Sequence, residues 1–326
     1  MRTPHFWRSK NLLSTLLVPC SALYALGFAL DKRMKPAQRA PLPVISIGNV
    51  TAGGAGKTPT ALALATLLQQ MGENPHFITR GYGGHTYRQP HRVQPHDTAA
   101  DVGDEALLLV RTAPTWVHRD RVAAAHEAAR AGATILLADD ALQHHALAHD
   151  LSVLVVDLAT GLGNERLLPA GPLRQTLESA YGAAPTVALA IGDADPHHLL
   201  PRLQTLGEVF RARLQPAGDP VWFGTKRWLA FAGIAHPQKF YATLRAAGAD
   251  IAATHDFADH HPFSERELRA LAETAARTGT ALITTEKDAA RIPATWGLDI
   301  ATLPVTLAIE ETPRLQKLLT PYLRRA

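Results

Sequence analysis

The chain has 326 residues, 46% hydrophobic and 19% charged, enough to bury a substantial core with room for about two domains. A net charge of +4 and a pI near 9.3 are only mildly basic, and no lysine/arginine run or basic stripe interleaved with aromatics suggests a nucleic-acid partner. An anionic membrane surface or a phosphorylated substrate suits that charge better, and the single cysteine, Cys20, excludes an intramolecular disulfide and points to a reducing compartment.

Residues 12–30 carry no charge, and Leu12, Leu13, Leu16, Leu17, Leu23, Tyr24, Leu26 and Phe28 supply a large apolar surface. Arg2, Arg8 and Lys10 precede it; Lys32, Arg33, Lys35 and Arg39 follow. The stretch lies at the lower edge of the roughly 20 residues that a membrane span needs, and Ser14, Thr15, Pro19 and Ser21 dilute it. Spanning with the rest of the chain in the cytosol would carry the basic N-terminus across, against the positive-inside tendency. A secretory signal and a core helix are the competing readings, and a nucleotide loop just downstream argues against export. The expectation is a helix lying in the membrane surface with its basic flanks on anionic headgroups.

Val44-Ile45-Ser46-Ile47-Gly48 then reads as a buried strand that runs into Asn49-Val50-Thr51-Ala52-Gly53-Gly54-Ala55-Gly56-Lys57-Thr58-Pro59, and residues 60–70 have helical composition. A glycine-rich turn between strand and helix wraps backbone N–H groups around phosphates at the positive end of the helix dipole. Thr51, Gly53, Gly54, Ala55, Gly56, Lys57 and Thr58 are the candidate ATP-binding residues. Lys57 is placed to reach the β- and γ-phosphates and the Thr58 hydroxyl to bind Mg²⁺. The usual loop has glycine where Thr51 stands, and partition-type ATPases have a signature lysine where Ala52 stands.

Residues 76–79 form a short strand that delivers Arg80-Gly81-Tyr82-Gly83-Gly84, where Arg80 is either a substrate contact or a surface ion pair. Residues 89–100 read as an irregular surface loop. Asp101-Val102-Gly103-Asp104-Glu105 precede an apolar helix over 106–111; their carboxylates either favour the helix start or point at the nucleotide site. A strand begins at Trp116 and a helix covers 122–131. The apolar strand 134–138 ends in Asp139-Asp140, where an acid faces the crevice of an open α/β sheet and can direct a metal. Gln143 and His144 follow as candidate nucleotide or substrate contacts. Strands at 151–157 and 186–191 extend the sheet, and between them the Pro/Gly-rich loop 164–175 is too irregular for a regular element. Strands alternating with helices imply a doubly wound, mostly parallel P-loop NTPase-type sheet.

The Pro/Gly-rich segment 216–224 marks a domain boundary. Beyond it a smaller α/β unit is expected, with strands at 228–234, 250–254 and 281–285 and helices at 237–247 and 265–278. The predicted divisions are an anchor at 1–40, a P-loop core at 41–220 and a C-terminal α/β domain at 221–326 closing over the cleft. Within the last, Ser264 and Glu267 form a capping box. Asp259-His260-His261 and Thr284-Thr285-Glu286-Lys287-Asp288 carry residues suited to chemistry. A kinase needs a base near the acceptor hydroxyl and cations for developing charge. Asp104 is the best base candidate, and His260 is the candidate to pair with it across the cleft. A guanine-reading Asn/Thr-Lys-x-Asp motif is missing, so a GTPase is disfavoured.

Taken together, Gly48-Asn49 with the loop through Pro59, Arg80-Gly-Tyr-Gly83, Gly103-Asp-Glu105, Asp139-Asp140 with Gln143-His144, Leu168-Pro-Ala-Gly-Pro-Leu-Arg174, Asp259-His260 and Thr284 to Asp288 resemble the tetraacyldisaccharide 4′-kinase family. The resemblance implies transfer of the ATP γ-phosphate to the 4′-hydroxyl of a tetraacyldisaccharide 1-phosphate, the lipid A disaccharide precursor. It also implies a peripheral or monotopic enzyme at the cytoplasmic face of the inner membrane. It makes Asp104 the base, aided by His260, assigns Glu105, Asp139 and Asp140 to ordering metal and acceptor, and makes Arg174 a phosphate contact. No obligatory protein partner is implied. Two departures stand out: Ala141-Leu142 where the family has Gly-Phe, and Gln175 where a glutamate commonly follows the arginine. The alternative reading is a partition-type P-loop ATPase switch positioned at the membrane, which turns over ATP without a lipid acceptor.

Overall fold

The fold comes from a computed structural model that describes residues 4–34, 36–182, 184–217 and 220–323. Arg2 and Lys35, named above as basic flanks, lie outside the described residues. The apolar N-terminal stretch forms not one helix but two, Leu12–Leu16 and Val18–Met34. The break falls where Pro19, lacking an N–H and crowding the preceding turn, can only sit near a helix start.

The large sheet is built from β1 (Val44–Gly48), β2 (Pro75–Thr79), β3 (His91–Arg92), β4 (Thr115–Val117), β5 (Ile135–Asp139), β6 (Leu151–Asp157), β7 (Thr186–Ile191) and β8 (Val209–Pro216). The chain then forms a second sheet from β9 (Arg227–Ala232), β10 (Asp250–Asp256), β11 (Ala281–Thr285) and β12 (Ile300–Leu303), and returns to the first with β13 (Val305–Ile309). The nine-stranded order is β13-β8-β7-β6-β1-β5-β2-β4-β3, and only the edge strands β3 and β13 pair antiparallel. The smaller sheet, β10-β9-β11-β12, is parallel throughout.

The central strands are buried along their whole length because helices cover both faces. Side chains alternate across the pleat: Ile45 and Ile47 pack with Leu64 and Leu68 of helix Lys57–Gln70, whereas Val44, Leu136 and Ala138 pack with Ala124 and Ala128 of helix Arg121–Arg130. Burying a side chain of this size is worth about 1.5–3 kcal/mol each, so β1 is a firm support for the loop that follows it. After β1 the chain winds towards β2, and after β5 it crosses to β6 on the other side of β1. The ligand crevice of such a sheet lies at that reversal, beyond the carboxyl end of β1.

Three features depart from the sequence reading. The segment 89–100 contains β3 and leads into helix Ala99–Val102. The helix expected at 106–111 is Asp104–Leu109, so Asp104 and Glu105 are its first residues and not its prelude. The division at residue 220 rests on a Pro/Gly break, and nothing in that break signals that β13 and helix Thr312–Leu319 return to the large sheet.

Candidate active site

The loop after β1 is shaped for a phosphate. Gly56 has φ 89°, and a Cβ there would lie 2.6 Å from Ile191 Cδ1, so only glycine fits. No side chain caps the helix that follows, which leaves its first N–H groups for a ligand. Lys57 opens that helix, with Nζ 3.2 Å from Asn49 Oδ1 and 3.5 Å from Asp140 Oδ1. Thr51, where the common pattern has glycine, makes a bridge with Leu173, and the N–H groups of Ala52 and Arg174 donate to Pro172 and Val50, both at 2.7 Å. The irregular 168–174 loop is thereby strung along the phosphate loop.

That arrangement carries Arg174 to Asp140, with Nη1 3.1 Å from both carboxylate oxygens. Asp140 sits just past β5 at φ 44°. Burial alone would raise its pKa, but Lys57 and Arg174 more than offset that and bring it to about 2. It therefore remains a full negative charge between two cations, which is where phosphate oxygens would go. Its neighbour Asp139 is 1% exposed, and burial together with the charges of Glu105 and Asp140 pushes it up to about 7. The buried Arg121 supports both from behind, donating from Nη2 to the carbonyls of Asp139 at 2.8 Å and Asp140 at 3.0 Å.

The departure Ala141-Leu142 is absorbed by packing. Both residues are buried, and a Cβ on Gly48 would lie 2.5 Å from Leu142 Cβ, so Gly48 lets that turn close on β1. Gln143 Nε2 donates to the Asn49 carbonyl at 2.8 Å and the His144 N–H to Ala141 at 2.7 Å. Gln143 thus braces the loop. Gln175 is buried beside the 168–174 turn.

The second half of the site is assembled between the two sheets. Asp104 is 4% exposed; its Oδ1 accepts the Glu105 N–H at 2.9 Å, and its Oδ2 lies 3.1 Å from His260 Nδ1 and 3.6 Å from Arg291 Nε. Lys287 Nζ stands 3.1 Å from Glu105 Oε1, 3.4 Å from His260 Nε2 and 4.0 Å from Asp104 Oδ2. An ammonium has only donors, so His260 Nε2 must accept and its proton must sit on Nδ1, pointing at Asp104. Burial opposes the charges of both Asp104 and Lys287. His260 with Lys287 nevertheless holds the carboxyl below the ordinary carboxylate range, and Glu105 with Asp104 raises the ammonium. Asp288, fully buried, fixes the short helix that presents Lys287: it accepts from the Gly233 N–H at 3.1 Å and pairs with Arg291.

Beside the phosphate loop lies a cavity of about 650 Å³, bounded by Thr51 to Ala55, the turn after β6 and, from the smaller unit, His236 and Phe257. Asp157 in its wall forms an ion pair with Lys239 of the smaller unit. Trp7 and Arg8, just before the apolar helices, complete the wall.

Those helices are inverted relative to a core helix. Ser14 and Ser21 face inwards, where Arg166 donates to Ser14 Oγ at 3.0 Å and Ser21 Oγ donates to the Leu167 carbonyl at 2.8 Å. Leu23, Leu26, Leu30 and Met34, spaced as one helix face, are between 49% and 79% exposed. No helix among the described residues is long and apolar enough to cross a membrane.

Residues 13–324 match the family model described as Tetraacyldisaccharide-1-P 4′-kinase. The chain is 46% identical to the tetraacyldisaccharide 4′-kinase of Parvibaculum lavamentivorans, with 100% of this chain and 99% of that protein covered. It is 44% identical to that of Methylorubrum extorquens, with 100% of both covered. The crystal structure of LpxK from Aquifex aeolicus in complex with ATP has the same fold, with a TM-score of 0.76 at 23% identity over 96% of this chain and 100% of that one. The chain belongs to the tetraacyldisaccharide 4′-kinase family. Membership favours a kinase over the partition-type ATPase switch.

The geometry brings together Lys57, Asp140 and Arg174 in one cluster and Asp104, Glu105 and His260 in another, whereas Arg80 lines a second cavity, near enough to Arg121 to act on its charge. Sequence reasoning did not assign Lys287, Arg291 or Arg121. Lys287 was within reach, since Glu-Lys-Asp at the carboxyl end of an apolar strand is the same signal that marked Asp139-Asp140. The donor set also fits Mg²⁺. Asp139 Oδ1 is buried without a hydrogen-bond partner among the described residues, and an ion of this kind takes one or two carboxylates together with substrate phosphates and water. Thr58, Asp139 and the nearby Glu105 would hold it.

Proposed function

We propose that the protein transfers the γ-phosphate of ATP to the 4′-hydroxyl of a tetraacyldisaccharide 1-phosphate, a step of lipid A biosynthesis. The observation that carries this reading is the buried Asp104 paired with His260 where the two units meet, in a fold whose β1 ends in a phosphate loop. Lys57 and Arg174 exchange Asp140 for phosphate oxygens of the donor. Mg²⁺, when bound, neutralises charge across the β- and γ-phosphates. Asp104 accepts the proton of the acceptor hydroxyl, whose oxygen bonds to the γ-phosphorus as the bond to the bridging oxygen of ADP breaks. The Nδ1–H of His260 holds the carboxylate in place and ionised. Because the remaining ring nitrogen faces an ammonium, His260 orients the base and does not itself take the proton.

The acceptor's acyl chains leave a bilayer at a cost of about 0.8 kcal/mol per CH₂, so the enzyme works where the lipid is. The outward leucines and basic flanks support a peripheral or monotopic position at the cytoplasmic face of the inner membrane, with the smaller unit closing over the cleft. Labelled ATP incubated with tetraacyldisaccharide 1-phosphate in detergent micelles is expected to yield labelled lipid. Hydrolysis of ATP with no label in the lipid would overturn the reading.

A further inference from the structure

The phosphate-transfer scheme leaves one buried cation beside the base without a task. Arg291 follows the short helix Glu286–Ala289, and its side chain is 8% exposed. Its Nη1 donates to the His261 carbonyl at 3.0 Å and its Nη2 to the Gly233 carbonyl at 3.0 Å. Nη2 also pairs with the fully buried Asp288, whose carboxylate accepts the Gly233 N–H. On its remaining edge Nε faces the Lys287 carbonyl at 3.4 Å and Asp104 Oδ2 at 3.6 Å. A rigid fork with five donors can hold carbonyls of two separate segments at once, which an ammonium on a flexible stem cannot.

What the fork holds is the turn that carries His260. The Gly233 carbonyl gripped by Arg291 also accepts the His260 N–H at 3.1 Å, so the two carbonyls bracket the His260-His261 pair. His260 has φ 56°, in the left-handed region, where a residue with a side chain persists only if its surroundings fix it. Asp104 is set independently: it opens a helix, and the backbone before it is pressed on the turn after β2, since a Cβ on Gly103 would lie 2.5 Å from the Tyr82 carbonyl. The 3.1 Å contact between His260 Nδ1 and the base therefore depends on how the turn at His260 is held. Charge is the lesser part of what Arg291 offers. Asp288 already answers it, and His260 and Lys287 do more than Arg291 to lower the pKa of Asp104.

We propose that Arg291 is a positioning residue for the transfer, whose fork sets the left-handed turn that aims His260 at Asp104. The inference rests on the kinase reading and names what orients the imidazole. The test compares lipid labelling by the unaltered protein, Arg291→Lys, His260→Ala and the double variant. Arg291→Lys keeps a cation beside Asp288 but loses the fork, and its kcat should fall roughly 10- to 100-fold, as small misplacements of catalytic groups do, with the KM for ATP unmoved. The double variant should come within about twofold of His260→Ala alone, because a residue that acts only through the imidazole adds nothing once the imidazole is gone. A melting temperature close to that of the unaltered protein shows each variant to be folded. If Arg291→Lys is not, Arg291→Gln with Asp288→Asn, which removes both charges of the buried pair, takes its place with the same expectations. Full activity of the variant would overturn the proposal by showing that no fork is needed. Losses that multiply in the double variant would overturn it by showing that Arg291 acts on Asp104 directly. Either result leaves the kinase standing, whereas an unaltered protein that labels no lipid would overturn the kinase reading and the proposal with it.

Discussion

Asp140 and Asp104 are two carboxylates, both held below the ordinary carboxylate range, but by different parts of the chain. The partners of Asp140, Lys57 and Arg174, belong to the large-sheet unit that carries Asp140 itself. The partners of Asp104, which are His260, Lys287 and Arg291, all come from the other unit. The ion pairs of the proposed phosphate end therefore lie within one unit, whereas those of the proposed acceptor end exist only while the two units meet. A donor site that stands ready and an acceptor site made by contact are well suited to an enzyme that must withhold its phosphate from water.

The largest effect should come from Asp104→Asn, which keeps the shape but removes the base. Transfer to lipid should fall by about 10²–10⁴-fold, and the affinity for a non-hydrolysable ATP analogue, measured by calorimetry, should not change. A tenfold weaker analogue affinity would break the separation between the two ends. A smaller loss, of about tenfold, is expected from Lys287→Met, and its pH dependence is the sharper readout. The base must be ionised and its folded pKa is lowered, so activity is present above that pKa and is lost as pH falls through it. Removing an ammonium that favours the carboxylate raises the pKa, so the acid limb of kcat/KM should move to higher pH. A limb that stays in place while the rate falls would leave Lys287 as mere packing. The least effect on either end should follow Leu23→Glu with Leu26→Glu. Recovery on anionic vesicles should drop severalfold with analogue affinity intact, and undiminished recovery would remove the outward leucine face as the membrane contact.

The phosphate end was also the legible end. β1, its loop and β5 could be read because buried parallel strands are continuous apolar runs and because Gly-Lys-Thr permits few alternatives. In the smaller unit β9 and β11 were legible for the same reason, whereas the exposed β10 was read from its place between two helices. β8, β12 and β13 were not, since their residues alternate or are half exposed and their partners are distant in sequence. Asp104 and His260 could be nominated as residue types, but 156 positions separate them, and only the meeting of the two units brings them to hydrogen-bonding distance. Lys287 and Arg291 escaped assignment because their meaning lies wholly in what they face. The apolar N-terminal stretch was legible in composition but not in orientation, because inward serines and outward leucines leave the same average hydropathy as the reverse.

The return of β13 has a mechanical consequence. The chain leaves the large sheet at Pro216 and re-enters it at Val305, and these two residues are direct partners in the β8–β13 ladder. Both crossings therefore share one fulcrum at one edge of the sheet. From β8 to β2, the strand that leads to the turn packed against Asp104, is five strand spacings, or about 24 Å at roughly 4.8 Å each. Over a lever arm of that length a rotation of about 5° displaces the imidazole by about 2 Å, enough to part the 3.1 Å contact between His260 and Asp104. A small tilt about that edge is thus sufficient to part His260 from Asp104, while the ion pairs of Asp140, all within the large-sheet unit, stay together.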